Sequence, residues 1–241
     1  MATVISKRIV TLELIVGYSL LAVGSITTWF LLALSASYLL QVSVLYSIFG
    51  LILIKVKPDE CQESGIGWAN RITVLRAILS IIICATVFHV GSLEAVGYWW
   101  VVILSVIALS LDGLDGWLAR YTQTESSFGA KLDMEVDAFL LLALSLLVFL
   151  SGKVTFWIVS IGLMRYCFVA CGEVWPFLKN QLPMSWRRKG VCAIQGIGLV
   201  ICLAPVSSGS FAYNIAMLSL GSLVYSFCAD TRWLYMNRMS A

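Results

Sequence analysis

Charged residues are scarce in this chain. They make up 12% of its 241 residues, whereas 60% are hydrophobic and the mean hydropathy is +0.93. An ordinary soluble domain has about 25% charged and 45–50% apolar residues. The composition therefore excludes a soluble globular domain, and with a net charge of only +3 no nucleic-acid partner is expected.

The chain also has very little histidine and no closely spaced CxxC pair of cysteines. His89 is the only histidine, and it falls at the end of a predicted span far from the acidic residues described below, so no catalytic role is expected for it. The seven cysteines are scattered, form no CxxC pair and lie mostly in apolar runs, where cysteine behaves as a small hydrophobe. A cysteine-based metal or redox site is therefore not expected.

Long apolar runs are what the chain has in abundance. A membrane-crossing helix needs about 20 apolar residues, and eight such runs lie at 11–33, 36–55, 72–90, 95–118, 130–151, 154–175, 189–206 and 210–230. They predict an all-α polytopic membrane protein with about eight transmembrane helices. A polar linker at 55–71 separates an N-terminal two-span hairpin, residues 1–57, from a six-helix body, residues 68–241.

The basic residues indicate which loops of this topology face the cytoplasm. Lysine and arginine concentrate in the cytoplasmic loops of membrane proteins. In the predicted arrangement most of them fall on one side, and the other side receives Lys153, His89 and Glu94. Both termini and the stretch 112–137 are therefore expected at the cytoplasmic face, with a bacterial inner membrane favoured over a eukaryotic organelle.

One stretch interrupts the apolar pattern: DGLDGWLARYTQTESSFGAKLDMEVD, residues 112–137, here called the acidic signature. Asp112 and Asp115 are three residues apart, and Asp133 and Asp137 are four apart, so each pair shares one face of its helix. Two consecutive helices thus aim two aspartates each from their cytoplasmic ends. A solvated loop does not account for them, because charges inside predicted spans are costly and usually functional.

This residue set suits a phosphorylated ligand held by metal. Carboxylates brought together repel one another unless a cation joins them, and Mg²⁺ is usually bound by a few carboxylates plus substrate phosphates. Mn²⁺ also suits oxygen ligands. Gly116, Ala119 and Gly129 leave room for a ligand beside the helix backbone, and Arg120 and Lys131 supply positive charge for phosphate.

The acidic signature resembles that of the CDP-alcohol phosphotransferases, D-x-x-D-G-x-x-A-R-x8-G-x3-D-x3-D. Its fixed positions are filled by Asp112, Asp115, Gly116, Ala119, Arg120, Gly129, Asp133 and Asp137. Upstream, ANRITVLR (69–76) is similar to the family's P-N-x-I/L-T-x-x-R, with Asn70, Thr73 and Arg76 in place and Ala69 instead of proline. Downstream, Lys189 and Gln195 match a looser G-K-x-x-T-x-x-Q pattern whose threonine is missing. The resemblance covers about 68–230 and leaves the hairpin unexplained.

The resemblance implies transfer of a phosphoalcohol group, most simply a phosphatidyl group from CDP-diacylglycerol, to a second alcohol with release of CMP. It implies two divalent cations, Mg²⁺ or Mn²⁺, held by the four aspartates, with Asp137 also the base toward the acceptor hydroxyl. It places the nucleotide against Gly116, Ala119, Arg120 and Gly129, and also near Asn70, Thr73 and Lys131. It further implies a lipid bilayer as the setting and a homodimer as the assembly.

The acceptor alcohol stays open. Arg165 lies roughly midway along the sixth span, where an arginine should have a partner or face a cavity. It is expected either to line the acceptor pocket or to pair with an acid such as Glu173 or Asp137. Lys189 is a second acceptor candidate. The two basic positions favour an anionic acceptor slightly over a neutral or zwitterionic one.

Two other classes of function remain as alternatives. A transporter using intramembrane acids would place them near the bilayer midplane and often shows repeated halves, whereas these acids cluster at one surface and no internal repeat is evident. A catalytically silent, lipid-binding relative would not need all four aspartates. Metal-dependent release of CMP distinguishes an enzyme from both.

Overall fold

The structure, a computed structural model, describes residues 2–56, 68–122, 127–179 and 185–237. The greater part of the predicted linker at 55–71 lies outside these ranges. The chain divides into two compact units, Met1–Leu140 and Leu141–Ala241, which are described in turn.

Eight α-helices account for nearly all of the described residues. They are α1 (Ala2–Leu31), α2 (Ser37–Val56), α3 (Trp68–Thr86), α4 (Ala95–Thr122), α5 (Ser127–Leu150), α6 (Val159–Val174), α7 (Trp186–Leu203) and α8 (Gly209–Met236). Short 3-10 helices occupy Val87–Ser92, Phe156–Ile158 and Pro176–Lys179. Each predicted span overlaps one α-helix, so the all-helical fold class is confirmed.

Six of these helices are long and apolar enough to cross a membrane: α1, α2, α3, α4, α6 and α8. The other two predicted spans, α5 and α7, differ because charges crowd their first turns. In α5 these include Lys131, Asp133, Glu135 and Asp137, and α7 begins with Trp186, Arg187, Arg188 and Lys189. Two of the acids in α5, Asp133 and Asp137, are among the four aspartates of the acidic signature.

Prolines set the ends of two helices. Trp175, which precedes Pro176, has extended backbone angles (φ −116°, ψ 91°) and ends α6. Ala204, which precedes Pro205, has φ −54° and ψ 133° and ends α7. The proline ring disfavours the helical conformation of the residue before it, so both boundaries follow from the sequence.

Helix α3 is the centre of the first unit, and α1, α2 and α4 pack against it. In its apolar segment 61% of residues are buried, compared with 22–33% in those of α1, α2 and α4. Ile82, Ile83 and Ala85 are almost completely buried. A helix segment without charged residues on any face belongs in the interior of a bundle, and residues 77–86 of α3 have that character.

Polar contacts join the N-terminal hairpin to α3 near the start and near the end of α3. Near the start of α3, the Arg71 guanidinium donates two hydrogen bonds to one carboxylate oxygen of Glu13, at 2.8 and 3.0 Å. Near its end, the Tyr38 hydroxyl donates to the Ile82 carbonyl at 3.3 Å. The hairpin thus packs directly onto the helix that carries Asn70, Thr73 and Arg76.

In the second unit, α7 packs against α8. The buried Gln195 side chain donates from Nε2 to the Ser219 carbonyl at 2.9 Å and to the Ser222 hydroxyl at 3.0 Å. The Lys153 ammonium donates to three carbonyls at the end of α7, the shortest being Ala204 at 2.6 Å. Burial lowers the pKa of Lys153 below its ordinary value. A cation at a helix C-terminus satisfies carbonyls that lack helical partners.

Candidate metal and nucleotide site

Helices α4 and α5 bring three aspartates of the acidic signature together. Asp112 comes from α4, and Asp133 and Asp137 come from successive turns of α5. One carboxylate oxygen of each residue lies within 4.8 Å of the others. These three residues, here called the carboxylate group, are the one such set of three or more metal-ligating side chains in the described part of the chain.

The carboxylate group is partly open to the surroundings. The exposed fractions of the side chains are 42% for Asp112, 34% for Asp133 and 21% for Asp137. A ligand can therefore reach the oxygens, and Asp137 is the most enclosed of the three. Asp115 lies in the helical part of α4, and its side chain is outside what the structure describes.

Arg76 joins the three carboxylates. Its side chain is 1% exposed, and Nη2 lies 2.9 Å from an oxygen of Asp112. The same guanidinium donates from Nη1 to Asp133 and from Nη2 to Asp137. Guanidinium–carboxylate bonds of this kind are among the stronger hydrogen bonds in proteins, so one side chain of α3 ties α4 and α5 together.

Arg76 occupies a position of the motif at 69–76, but the sequence alone assigns it no role. A signal for one was available, because arginine within the apolar run ITVLRAILSIIIC is costly unless it has acidic partners. What the spacing could not show is which acids the side chain reaches, since they lie 36 or more residues away in the sequence.

The dimensions of the carboxylate group suit a hard divalent cation. Mg²⁺ binds oxygen at about 2.0–2.1 Å, so two ligands on opposite sides of one ion are about 4.2 Å apart. Oxygens within 4.8 Å of one another can therefore share an ion after small adjustments. Three carboxylates and one guanidinium also leave a net negative charge for a cation to neutralise.

The residues expected near the nucleotide are described only in part. Thr73 is buried on α3, one turn before Arg76, and Gly129 is buried near the start of α5. Lys131 is exposed. The side chains of Asn70, Ala119 and Arg120 lie outside the described set, and Gly116 falls in the same stretch of α4.

The two acceptor candidates lie in the second unit. Arg165 is half-buried midway along α6, and Lys189 is exposed in the first turn of α7. The neighbouring Arg187 is engaged within the unit, because it donates to the Ser226 hydroxyl at 2.6 Å and to Asp230 at 2.5 Å. Arg187 therefore has a structural function between α7 and α8.

Comparison with known proteins agrees with these observations. The sequence model of the family described as CDP-alcohol phosphatidyltransferase matches residues 67–225, well over half of the chain. The chain is 34% identical over 133 residues to proteins of Mycobacterium bovis and Mycobacterium tuberculosis, each named "Putative cardiolipin synthase". The matched region covers 55% of this chain and 57% of each relative. No solved structure matches the chain significantly. The extent of the family match shows that this chain belongs to the CDP-alcohol phosphatidyltransferase family.

Proposed function

We propose that this protein transfers a phosphatidyl group from CDP-diacylglycerol to the hydroxyl of a second alcohol and releases CMP, as a step of phospholipid synthesis. The observation that carries the proposal is the convergence of Asp112, Asp133 and Asp137 in a chain that belongs to this family. Even with Arg76 present, the three carboxylates keep a net negative charge, and a bound cation would neutralise it.

The metal-binding residues of this proposal are Asp112, Asp115, Asp133 and Asp137, holding two divalent cations, Mg²⁺ or Mn²⁺. The spacing of the Asp112, Asp133 and Asp137 oxygens supports the binding of one of these ions. When bound, such ions neutralise the diphosphate and stabilise CMP as the leaving group.

Asp137 is the proposed base. It accepts the proton of the acceptor hydroxyl while that oxygen forms a bond to the β-phosphorus, and the bond from the β-phosphorus to the CMP oxygen breaks. Its low exposure supports the assignment, because partial exclusion of bulk water favours the acceptor hydroxyl over water beside the carboxylate. Positioning and electrostatics supply most of the rate in phosphoryl-type transfers.

The nucleotide is proposed to lie along α4, α5 and the start of α3. The residues assigned to it are Asn70, Thr73, Gly116, Ala119, Arg120, Gly129 and Lys131. Small side chains at three of these positions allow a close approach to the helix backbone, and Arg120 suits the diphosphate because its planar fork matches phosphate oxygens. Thr73 lies one turn before Arg76 and Gly129 one turn before Asp133, and this placement supports the nucleotide side of the site.

The acceptor is proposed to be anionic, with Arg165 and Lys189 as its contacts. The name of the mycobacterial relatives favours phosphatidylglycerol, because phosphatidyl transfer to that lipid produces cardiolipin. Glycerol 3-phosphate shares the same chemistry, a free hydroxyl near a phosphate. The exposure of Lys189 in the first turn of α7 supports it as a basic residue that can meet the acceptor.

The setting of the site is part of the proposal. The site opens at the cytoplasmic face of a bacterial inner membrane, where the basic loops of the sequence also fall. Residues 68–241 form the catalytic domain, and the hairpin of residues 1–57 supports α3. The assembly is a homodimer.

The test is CMP release from CDP-diacylglycerol by purified protein in detergent or lipid. Phosphatidylglycerol, glycerol 3-phosphate, an inositol phosphate, serine and an amino alcohol are each supplied with Mg²⁺, Mn²⁺ or EDTA. We expect release that requires metal and one anionic acceptor and that disappears in Asp137→Asn.

The matched control is Glu135→Gln, which removes an exposed carboxylate from the same helix but outside the carboxylate group. It should retain activity. Folded protein that releases no CMP from any CDP-alcohol donor would refute the proposal and leave a silent relative or a transporter.

A further inference from the structure

The buried guanidinium of Arg76 stands where the carboxylate group needs positive charge. It contacts one oxygen of each of the three aspartates, and it comes from α3, which contributes no acid to the group. Its side chain is almost fully enclosed, whereas each aspartate keeps part of its surface exposed. The guanidinium therefore contacts the carboxylates on their buried side, and their exposed side remains accessible to ligands.

We propose that Arg76 is the built-in counter-ion of the metal site: it stabilises the metal-free protein and weakens the binding of divalent cations. This inference rests on the proposed function, because it takes the carboxylate group to be the metal site. Arg76 is a positioning residue in this account, since it acts through Asp112, Asp133 and Asp137.

Two opposing effects of the guanidinium follow from electrostatics. Without metal, three neighbouring carboxylates repel one another, and a fixed positive charge at hydrogen-bonding distance offsets that repulsion. With metal, the same fixed charge lies close to the bound cation and repels it, and it also occupies oxygens that the cation would use. The guanidinium therefore narrows the difference in stability between the metal-free and metal-bound protein.

The enclosure of Arg76 makes this competition persistent. An exposed lysine or arginine would move into solvent when metal arrives, and salt would screen its charge. At 1% exposure Arg76 cannot leave the site without repacking α3. The fixed charge lowers the affinity of the carboxylate group for divalent cations. Cations therefore bind weakly until substrate phosphates add their own negative charge. Cooperation between metal and nucleotide is the functional consequence.

The test compares wild-type protein with Arg76→Gln and Arg76→Lys, using thermal unfolding and direct binding of Mn²⁺ measured by paramagnetic resonance. Arg76→Gln should unfold at a lower temperature in EDTA, and saturating Mn²⁺ should restore most of the loss. Its affinity for Mn²⁺ without nucleotide should rise about tenfold or more, equivalent to ~1.4 kcal/mol. Arg76→Lys keeps the charge with fewer donors and should fall between the two.

A matched control is Arg187→Gln, which removes an arginine–aspartate pair of the second unit. Its loss of thermal stability should be the same in EDTA and in Mn²⁺. If Arg76→Gln shows this pattern, with unchanged Mn²⁺ affinity, Arg76 is a structural residue only and the inference is wrong. Unchanged Mn²⁺ affinity with weaker binding of CDP would instead assign Arg76 to the nucleotide and also overturn it.

Two outcomes separate this inference from the proposed function. If wild-type protein binds no Mn²⁺, the metal site itself is refuted, whatever Arg76 does. If Arg76→Gln fails to fold with and without metal, Arg76→Lys decides: a larger stabilisation by Mn²⁺ than in the wild type supports the counter-ion, and an equal one refutes it.

Discussion

The substitution Asp137→Asn should abolish catalysis while leaving the metal-free protein about as stable as the wild type. The described cluster has three carboxylates and one guanidinium, a net charge of −2. Asparagine keeps the shape of the side chain and an oxygen that accepts from Arg76. It removes the repulsion between position 137 and the two neighbouring aspartates.

The size of the effect follows from the distances. Two unit charges 4.8 Å apart repel by about 3.5 kcal/mol at an effective dielectric constant of about 20. Solvent reduces this for Asp112 and Asp133, whose side chains are 42% and 34% exposed. Asp137→Asn also removes the attraction between the carboxylate and the Arg76 guanidinium, and this attraction has the opposite sign and a similar size. The free energy of unfolding in EDTA should therefore change by less than ~1 kcal/mol, since the terms largely cancel.

The assay is unfolding in detergent micelles, in EDTA and in Mn²⁺, together with CMP release. Mn²⁺ should stabilise the wild type and have little effect on Asp137→Asn, and CMP release should fall about a thousandfold or more because a base is lost along with a ligand. A loss of about 3–5 kcal/mol in EDTA, typical of a broken buried ion pair, would refute this reasoning. In the double variant with Arg76→Gln, Asp137→Asn should recover part of the stability lost by Arg76→Gln alone.

Two further predictions concern packing and the hairpin. In unfolding experiments Gly162→Ala should destabilise the protein by about 2 kcal/mol or more, because an added Cβ would lie 2.4 Å from the Leu142 Cα. The control is Gly221→Ala, whose Cβ would meet nothing within 4 Å. This variant should be neutral or stabilising. Glu13→Gln and Arg71→Gln should each cost at most ~1 kcal/mol, and a double-mutant cycle should show that the two losses do not add. Additive losses would contradict the pairing of the hairpin with α3.

Most of the fold could be predicted from the sequence because apolar runs of the right length have few alternatives in lipid. All eight predicted spans are helices. Two of the helices that extend beyond the predicted spans are α8, which continues past residue 230 to Met236, and α1, which starts at Ala2, before the span that begins near residue 11. Hydropathy detects where a segment leaves the apolar region, whereas a helix continues for as long as its backbone hydrogen bonds are stable.

The site was predictable as far as it depends on local spacing. The helical period placed Asp133 and Asp137 on one face, and the structure brings them to Asp112 on the neighbouring helix. The part that spacing could not provide is the contact of Arg76 with all three, because it depends on how α3 packs against two helices distant in sequence. The contact of Glu13 with Arg71 escaped prediction for the same reason.

The most direct test of the central claim is the dependence of CMP release on Mn²⁺ in wild-type protein, Asp112→Asn and Glu135→Gln. A catalytic metal site predicts no release in EDTA and saturable activation by Mn²⁺ in the wild type and in Glu135→Gln. It also predicts a loss of about a thousandfold in Asp112→Asn, within the range of a site that relies on metal for leaving-group stabilisation. CMP release that persists in EDTA, or that falls equally in Glu135→Gln and Asp112→Asn, would contradict a catalytic metal site at these carboxylates.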